Sequence, residues 1–194
     1  MLSHKKSLNI LKKTNALLEG HFVLSSGLHS SKYIQCAKLL SYPSKAEKIC
    51  KSLANKIKKK FKKIDLILAP AMGGIIIGYE IGRLLKKETI FCERVKGKFT
   101  LRRGFGIKKR SKVLILEDVI TTGKSSMECV KLIKKSKATL VGFASSFISQ
   151  HSNTSHGIRR GSADGSPRRI VRRRRTLQGR DRSHHGEVQR KSEL

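Results

Sequence analysis

The sequence predicts an α/β fold in which a mainly parallel central sheet is flanked by helices. Three near-continuous apolar runs carry this reading: "IDLILAP" (64–70), "KVLILED" (112–118) and "ATLVGFASSFI" (138–148). Each adjoins a helical pattern, "GGIIIGYEIGRLLKK" and "GKSSMECVKLIKKS" among them. Strands that are apolar on both faces need cover on both faces, which alternating helices provide. At 194 residues the chain is long enough for one domain with a core and short for two.

Taken in order, residues 5–19 place Leu8, Leu11 and Leu18 among lysines and predict a short amphipathic helix ending at Gly20. "HFVLSS" and "SKYIQC" read as two short strands around a "GLHS" turn. From Ser44 to about Lys63, Ile49, Leu53, Ile57 and Phe61 recur every four residues, giving a helix with a solvated basic face. A fourth strand, "TIFCER" (89–94), fits between the apolar runs. Beyond Ile148 the pattern stops. The remaining stretch has no sustained period, few apolar residues and four consecutive arginines, Arg172 to Arg175, and reads as disordered. The expected organisation is a domain over 1–148 followed by an Arg-rich low-complexity tail over 149–194.

The net charge is +31 and unevenly made. Residues 1–148 hold 27 lysines, 5 arginines and 9 acids; residues 149–194 hold 1 lysine, 11 arginines and 4 acids. The switch of basic residue type marks the tail as a genuine extension that binds RNA, with salt-dependent affinity, or as sequence joined by fusion or a disrupted frame near residue 148. Nucleic acid is a partner only in the first case. Cys36, Cys50, Cys92 and Cys129 have no CxxC or His spacing, so reduced buried thiols are expected. The longest apolar stretch, around "AMGGIIIGYEIG", is broken by glycine and glutamate and cannot span a bilayer. No early run suits a signal peptide, so a cytoplasmic protein is expected.

The chemistry concentrates in "VLILEDVITTGKS" (113–125). Thr121 to Ser125 offer backbone N–H groups and hydroxyls at a helix N-terminus, a cradle for a phosphate monoester. There is no GxxxxGK[ST], which argues against a nucleoside triphosphatase. Glu117 and Asp118 suit vicinal sugar hydroxyls, or a divalent cation among sugar and phosphate oxygens. The plain alternative is an exposed acidic strand end with threonines capping a helix. Together the features spell a phosphorylated ribose.

This string resembles the phosphoribosyl-diphosphate signature of type I phosphoribosyltransferases. "EGHFVLSSGLHSSKY" (19–33) and "ERVKGKFTLRRGF" (93–105) look like the hood and mobile loop of orotate phosphoribosyltransferase, and "PAMGGIIIGYEIGR" (70–83) like its diphosphate-binding turn. The resemblance covers about residues 15–147 and implies a small N-terminal hood of about 1–40 on a core of about 41–148 that lacks the family's C-terminal elements. It implies a cytoplasmic homodimer with loop exchange, a glycosyltransferase that joins orotate to phosphoribosyl diphosphate in pyrimidine synthesis with Mg2+. By resemblance Glu117, Asp118 and Lys98 are catalytic. Glu117 through Ser125, which includes Val119, Ile120, Thr121, Thr122, Gly123 and Lys124, bind phosphoribosyl diphosphate together with Arg94, Lys98, Ala71, Met72, Gly73 and Gly74. Thr121 is also near orotate. Tyr33 packs on the orotate ring or belongs to the core. Magnesium is held through diphosphate and ribose oxygens, with Asp118 a candidate ligand. Lys98, Arg102 and Arg103 alternatively form a solvated basic hairpin.

Two departures stand against the family pattern. Ser25 occupies a place where many members carry a diphosphate-contacting lysine. "FISQHSN" stands where an arginine would pair with the orotate carboxylate, and 148–153 contain none. Impaired activity is therefore expected. A purine-specific type I enzyme, a non-catalytic phosphoribosyl-diphosphate sensor and a basic RNA-binding protein are the alternatives.

Overall fold

The computed structural model describes residues 2–23, 29–149 and 154–160, with backbone alone for 148–149 and 154–160. Ser25 and the arginine run at 172–175 lie outside the described residues. The elements are α1 (His4–Lys13), β1 (Leu17–Val23), β2 (His29–Ile34), α2 (Cys36–Leu40), α3 (Pro43–Lys60), β3 (Leu66–Pro70) and α4 (Gly73–Leu85). There follow β4 (Glu88–Val95), β5 (Lys98–Thr100), β6 (Lys112–Ile120), α5 (Lys124–Lys135), β7 (Thr139–Ser149) and β8 (Thr154–Arg160). A six-stranded sheet runs β5-β4-β3-β6-β7-β8, and β1 and β2 form a separate hairpin. The four central strands are parallel, and the two edge strands run antiparallel to them. The predicted mainly parallel sheet with a small hood is the architecture found.

Strand alternation divides the core. Leu114 and Leu116 of β6 pack with α3 and α4, among Leu53, Ile57, Ile77 and Ile81. Val113 and Ile115 pack on the other face, with Cys129, Val130 and Ile133 of α5. The hood joins through a third cluster in which Leu11, Leu17, Ile34 and Leu39 meet Phe147 of β7. All four cysteines are buried and unbridged.

Two sequence readings are corrected. The first helix stops at Lys13 instead of reaching Gly20. It starts where Ser3 Oγ accepts from the Lys6 N–H. At its end Thr14 Oγ1 donates to Ile10 O at 2.9 Å, and Asn15 turns the chain at φ 50°. Leu17 then pairs with Ile34 as a strand, so the leucine spacing outlasts the helix. Secondly, the stretch after Ile148 lacks a strand period, yet Thr154–Arg160 pairs antiparallel with β7. As an edge strand it needs only one neighbour's ladder, and its sequence need not alternate to gain those backbone bonds.

Helix α4 approaches the sheet unusually closely along Gly74, Gly78 and Gly82, one residue per turn. A Cβ on Gly74 would stand 3.2 Å from Leu116 O of β6, and one on Gly78 2.9 Å from Ala69 Cβ of β3. Glycine here admits backbone to backbone. Gly78→Val is expected to destabilise the fold by about 1–3 kcal/mol through overpacking. Urea denaturation reads this as a lowered midpoint; an unchanged midpoint would show that α4 has room to retreat.

Candidate active site

Two loops leave the carboxyl ends of neighbouring parallel strands, where open sheets accept ligands. β3 pairs with β6 from Leu66–Val113 to Leu68–Ile115. The chain leaves β3 through Ala71 and Met72 into α4, and leaves β6 through Thr121 to Gly123 into α5. A cavity of about 540 Å3 opens over the second loop, lined by Thr121 to Ser125 with Glu117, Val119 and Arg94. The structure therefore gathers most of the predicted phosphate cradle around one space.

Gly123 is the N-cap of α5 at φ 79°, a conformation suited to glycine, and supplies no capping side chain. The first-turn amides must then find partners elsewhere. Lys124 N–H donates to Thr122 Oγ1 at 3.4 Å. Ser126 donates its hydroxyl, and its backbone N–H, to the Glu117 carboxylate. Glu117 thus caps α5 from the strand, a role no sequence spacing revealed. Among the described residues no bond engages the Ser125 amide or the Thr121 hydroxyl, both of which border the cavity.

The two adjacent acids point to opposite faces of β6. Glu117 faces α5. Asp118 faces α4, where a Cβ on Gly73 would fall 2.7 Å from the Asp118 Cγ. Only a residue without a side chain lets the first turn of α4 close over that carboxylate, and the helix N-terminus favours the negative charge. Burial nevertheless raises both acids. It pushes Glu117 up to about 7, opposed by the Ser126 hydroxyl and amide and reinforced by the Asp118 charge. Asp118 is also raised by burial, against bonds from the Val119 and Asp118 backbone.

Other predicted residues are placed less uniformly. The Ala71 N–H donates to Cys92 O at 2.8 Å and is committed to the sheet, which removes it as a diphosphate donor. Gly73 and Gly74 head α4, where their amides have no intrahelical acceptor. Met72 is exposed beside them. Ile120 closes β6 without lining the cavity. Lys98 opens the short strand β5, exposed and away from the cavity lining. Arg102 and Arg103 pair with Glu93 at 3.7 and 3.3 Å, so this hairpin is tied to β4. Tyr33 stands on the hood, stacked on Phe22 at 5.6 Å, and does not line the cavity.

Arg94 does line it, and its support was not legible in the sequence. One nitrogen, Nη1, donates to both Gly97 O and Glu128 Oε2 at 2.8 Å, and the guanidinium lies 4.1 Å over Phe99. Glu128 sits on α5, 34 residues away in the chain. The pair pins the β4–β5 hairpin, which carries Lys98, to the helix that carries the cradle. Because both bonds use Nη1, the remaining N–H groups of Arg94 stay available to an anion in the cavity.

The phosphoribosyl transferase domain family matches this chain over residues 41–160. The orotate phosphoribosyltransferase of Helicobacter pylori (strain P12) is 50% identical over 132 residues, covering 68% of this chain and 66% of that protein. This chain thus spans just under two thirds of its relative's length. The crystal structure of orotate phosphoribosyltransferase from Aeropyrum pernix matches with a TM-score of 0.61 at 25% identity, covering 71% of this chain and 78% of that one. Adenine phosphoribosyltransferase from Saccharomyces cerevisiae shares the fold, with a TM-score of 0.58 at 18% identity and coverage of 71% and 87%.

The raised Glu117 has a stability consequence. Its folded-state pKa lies above the unfolded carboxylate value, so the folded protein holds the extra proton between them. Stability must fall as pH rises from about 4.5 through about 7 and then level off. The size is on the order of 3 kcal/mol. Glu117→Gln is expected to remove this fall, leaving the ligand-free variant more stable than the parent at pH 8. Denaturant midpoints at pH 5, 6, 7 and 8 decide it; parallel pH profiles for the two proteins would refute the assignment.

Proposed function

The chain belongs to the phosphoribosyltransferase family, and from that premise we propose that it transfers a 5-phosphoribosyl group from phosphoribosyl diphosphate to orotate, giving orotidine 5′-phosphate and diphosphate. The observation that carries this reading is the cradle at the end of β6: a helix N-terminus without a capping side chain, flanked by a carboxylate on each face of one strand. The 50% identical relative bears the name orotate phosphoribosyltransferase, which supports orotate as the acceptor.

The residues divide the work by charge. Thr121 to Ser125 receive the 5′-phosphate, the Ser125 amide and the threonine hydroxyls donating to its oxygens. The ribose lies across the strand end, its hydroxyls toward Glu117 on one side and Asp118 on the other. As diphosphate departs, the ribose becomes oxocarbenium-like, and carboxylates fixed beside it stabilise the positive charge without reorganising. The amides of Gly73 and Gly74 face the departing diphosphate, and Arg94 adds a donor that Glu128 holds in place. Lys98 reaches the same anion from a second subunit.

Among the described residues no three His, Cys, Asp or Glu side chains cluster to hold a metal. Mg2+ would be held mostly by substrate oxygens, with Asp118, at the end of β6, the protein carboxylate that would join them. When bound, the ion neutralises the diphosphate leaving group. The orotate carboxylate finds no arginine over 148–153. Arg159 and Arg160 pair by register with Phe143 and Gly142, toward the opposite end of β7. Losing that charged pair costs roughly 2–5 kcal/mol of acceptor binding, so weak orotate affinity belongs to the proposal.

A second copy is proposed to complete the unit. Met72 at the N-cap of α4 and Ile76 and Tyr79 on the helix share one face and are 83%, 58% and 69% exposed. An apolar face of this kind on an otherwise lysine-rich surface suits a dimer contact. Among the described residues no helix is long and apolar enough to cross a membrane; we place the protein in the cytoplasm with its substrates.

Diphosphate release by the purified chain with phosphoribosyl diphosphate and Mg2+ tests the function. We expect release that depends on orotate, with an orotate KM raised at least about tenfold over relatives that keep the arginine, and loss of release in Asp118→Asn. Release with adenine and not orotate would favour the purine reading; tight phosphoribosyl-diphosphate binding without release under any base would favour a sensor. Light scattering is expected to find a dimer that Tyr79→Glu converts to a monomer. A parent chain already monomeric would remove the loop-exchange role from Lys98.

A further inference from the structure

The end of the sheet remote from the cavity carries a different chemistry. Four parallel strands start there, and each is preceded by basic residues. Lys62 and Lys63 lead into β3, Lys86 and Lys87 into β4, Lys108 to Arg110 into β6, and Lys137 into β7, all exposed. These loops touch one another. Asp65 N–H donates to Lys112 O at 2.8 Å, Arg110 N–H to Lys137 O at 3.0 Å, and Thr139 N–H to Ser111 O at 2.9 Å. With strands about 4.8 Å apart, the starts of the four span roughly 15 Å. The acids in these loops and strand starts are Asp65 and Glu88, and Asp65 is engaged by the Lys112 N–H at 2.8 Å.

Ordinary helix capping explains part of this. Lys58 to Lys60 and Lys134 to Lys135 fall in the last turns of α3 and α5, where cations offset the helix dipole. The residues beyond the helix ends need another account. Lys86, Arg110 and Lys137 adopt φ of 53°, 66° and 53°. Glycine or asparagine is the usual occupant of such left-handed positions, because a Cβ is disfavoured there. Lys96 and Arg103, away from the pole, do the same at 48° and 57°, so the case for the pole rests on the clustering of its charges.

We propose that this pole binds the phosphodiester backbone of a nucleic acid, without regard to sequence. Lysines supply point charges suited to phosphates. Among the described residues no exposed large hydrophobic belongs to the pole: Leu18, Val23, Tyr33, Tyr42, Met72, Ile76 and Tyr79 all lie elsewhere. With no exposed aromatic ring among the described residues of the pole, bases find no platform for stacking there. The absence of apolar anchors favours nucleic acid over a membrane surface, where amphipathic contact adds the grip that charge alone lacks. This surface is separate from the cavity, so the proposal stands or falls apart from the transferase reading.

The test uses the full chain and a labelled RNA duplex of about 20 base pairs, titrated by fluorescence anisotropy across a range of salt. The variant Lys62→Gln/Lys63→Gln/Lys109→Gln/Lys137→Gln is expected to bind at least about tenfold more weakly, with a log Kd against log salt slope smaller by roughly one for each phosphate no longer neutralised. Lys86→Gly/Lys137→Gly should weaken binding while leaving the melting temperature equal or higher, which separates lost charge from lost fold. A companion variant turns Arg172 to Arg175 to glutamine. Binding lost only in that companion would overturn the proposal in favour of the tail. Unchanged affinity in both lysine variants would also overturn it, as would equal competition by phosphatidylserine vesicles at matched charge.

Discussion

A buried carboxylate that caps a helix from the end of a central strand is the contact on which the site depends. Glu117 is 7% exposed and holds both the hydroxyl and the amide of Ser126. Through that contact β6 fixes where α5 begins, and α5 in turn presents Thr121 to Ser125 to the cavity. One residue later the strand's alternation turns Asp118 to the other face, under Gly73 at the start of α4. Two helix N-termini, from two loops, are thereby set against two successive carboxylates. Their positive ends favour the charges that burial opposes. With Glu117 pushed up to about 7, burial wins by a moderate margin.

Much of this could be read from the chain. The runs at 64–70 and 112–118 are apolar on both faces because β3 and β6 lie at the centre of the sheet, so their pattern reports their burial directly. Glu117 and Asp118 stand out for the same reason: charges ending an apolar run have few structural uses. The Thr-Thr-Gly turn was legible because its residues suit a helix start and a phosphate equally.

What the sequence hid has a common physical cause. The Arg94–Glu128 pair joins residues 34 apart, and nothing local in either segment demands it. The commitment of the Ala71 amide to Cys92 O depends on β4 lying beside β3, which the order of the strands in the chain does not reveal. Leu17 and Leu18 continue a helical spacing, but Asn15 turns the chain and pairing with β2 outweighs propensity. Thr154–Arg160 is an edge strand held by backbone bonds, which leave little trace in side-chain pattern. Each miss is a long-range contact overriding a local signal.

The polarity of a parallel sheet also sorts the charges of this protein. Helix N-termini and the acids Glu93, Glu117, Asp118 and Glu128 collect at the carboxyl ends of the strands, and helix C-termini with their lysines collect at the other. A chain of net charge +31 attracts any polyanion. Phosphoribosyl diphosphate would meet the basic pole as readily as the cavity if charge alone steered it. What distinguishes the cavity is geometry: amides and hydroxyls oriented at the start of α5, beside a Glu117 carboxylate that matches a sugar where lysines match only phosphate. The pole has charge without that geometry. It suits a ligand that repeats phosphates along its length and offers nothing else to grip, and a pole so occupied would no longer compete with the cavity for small anions.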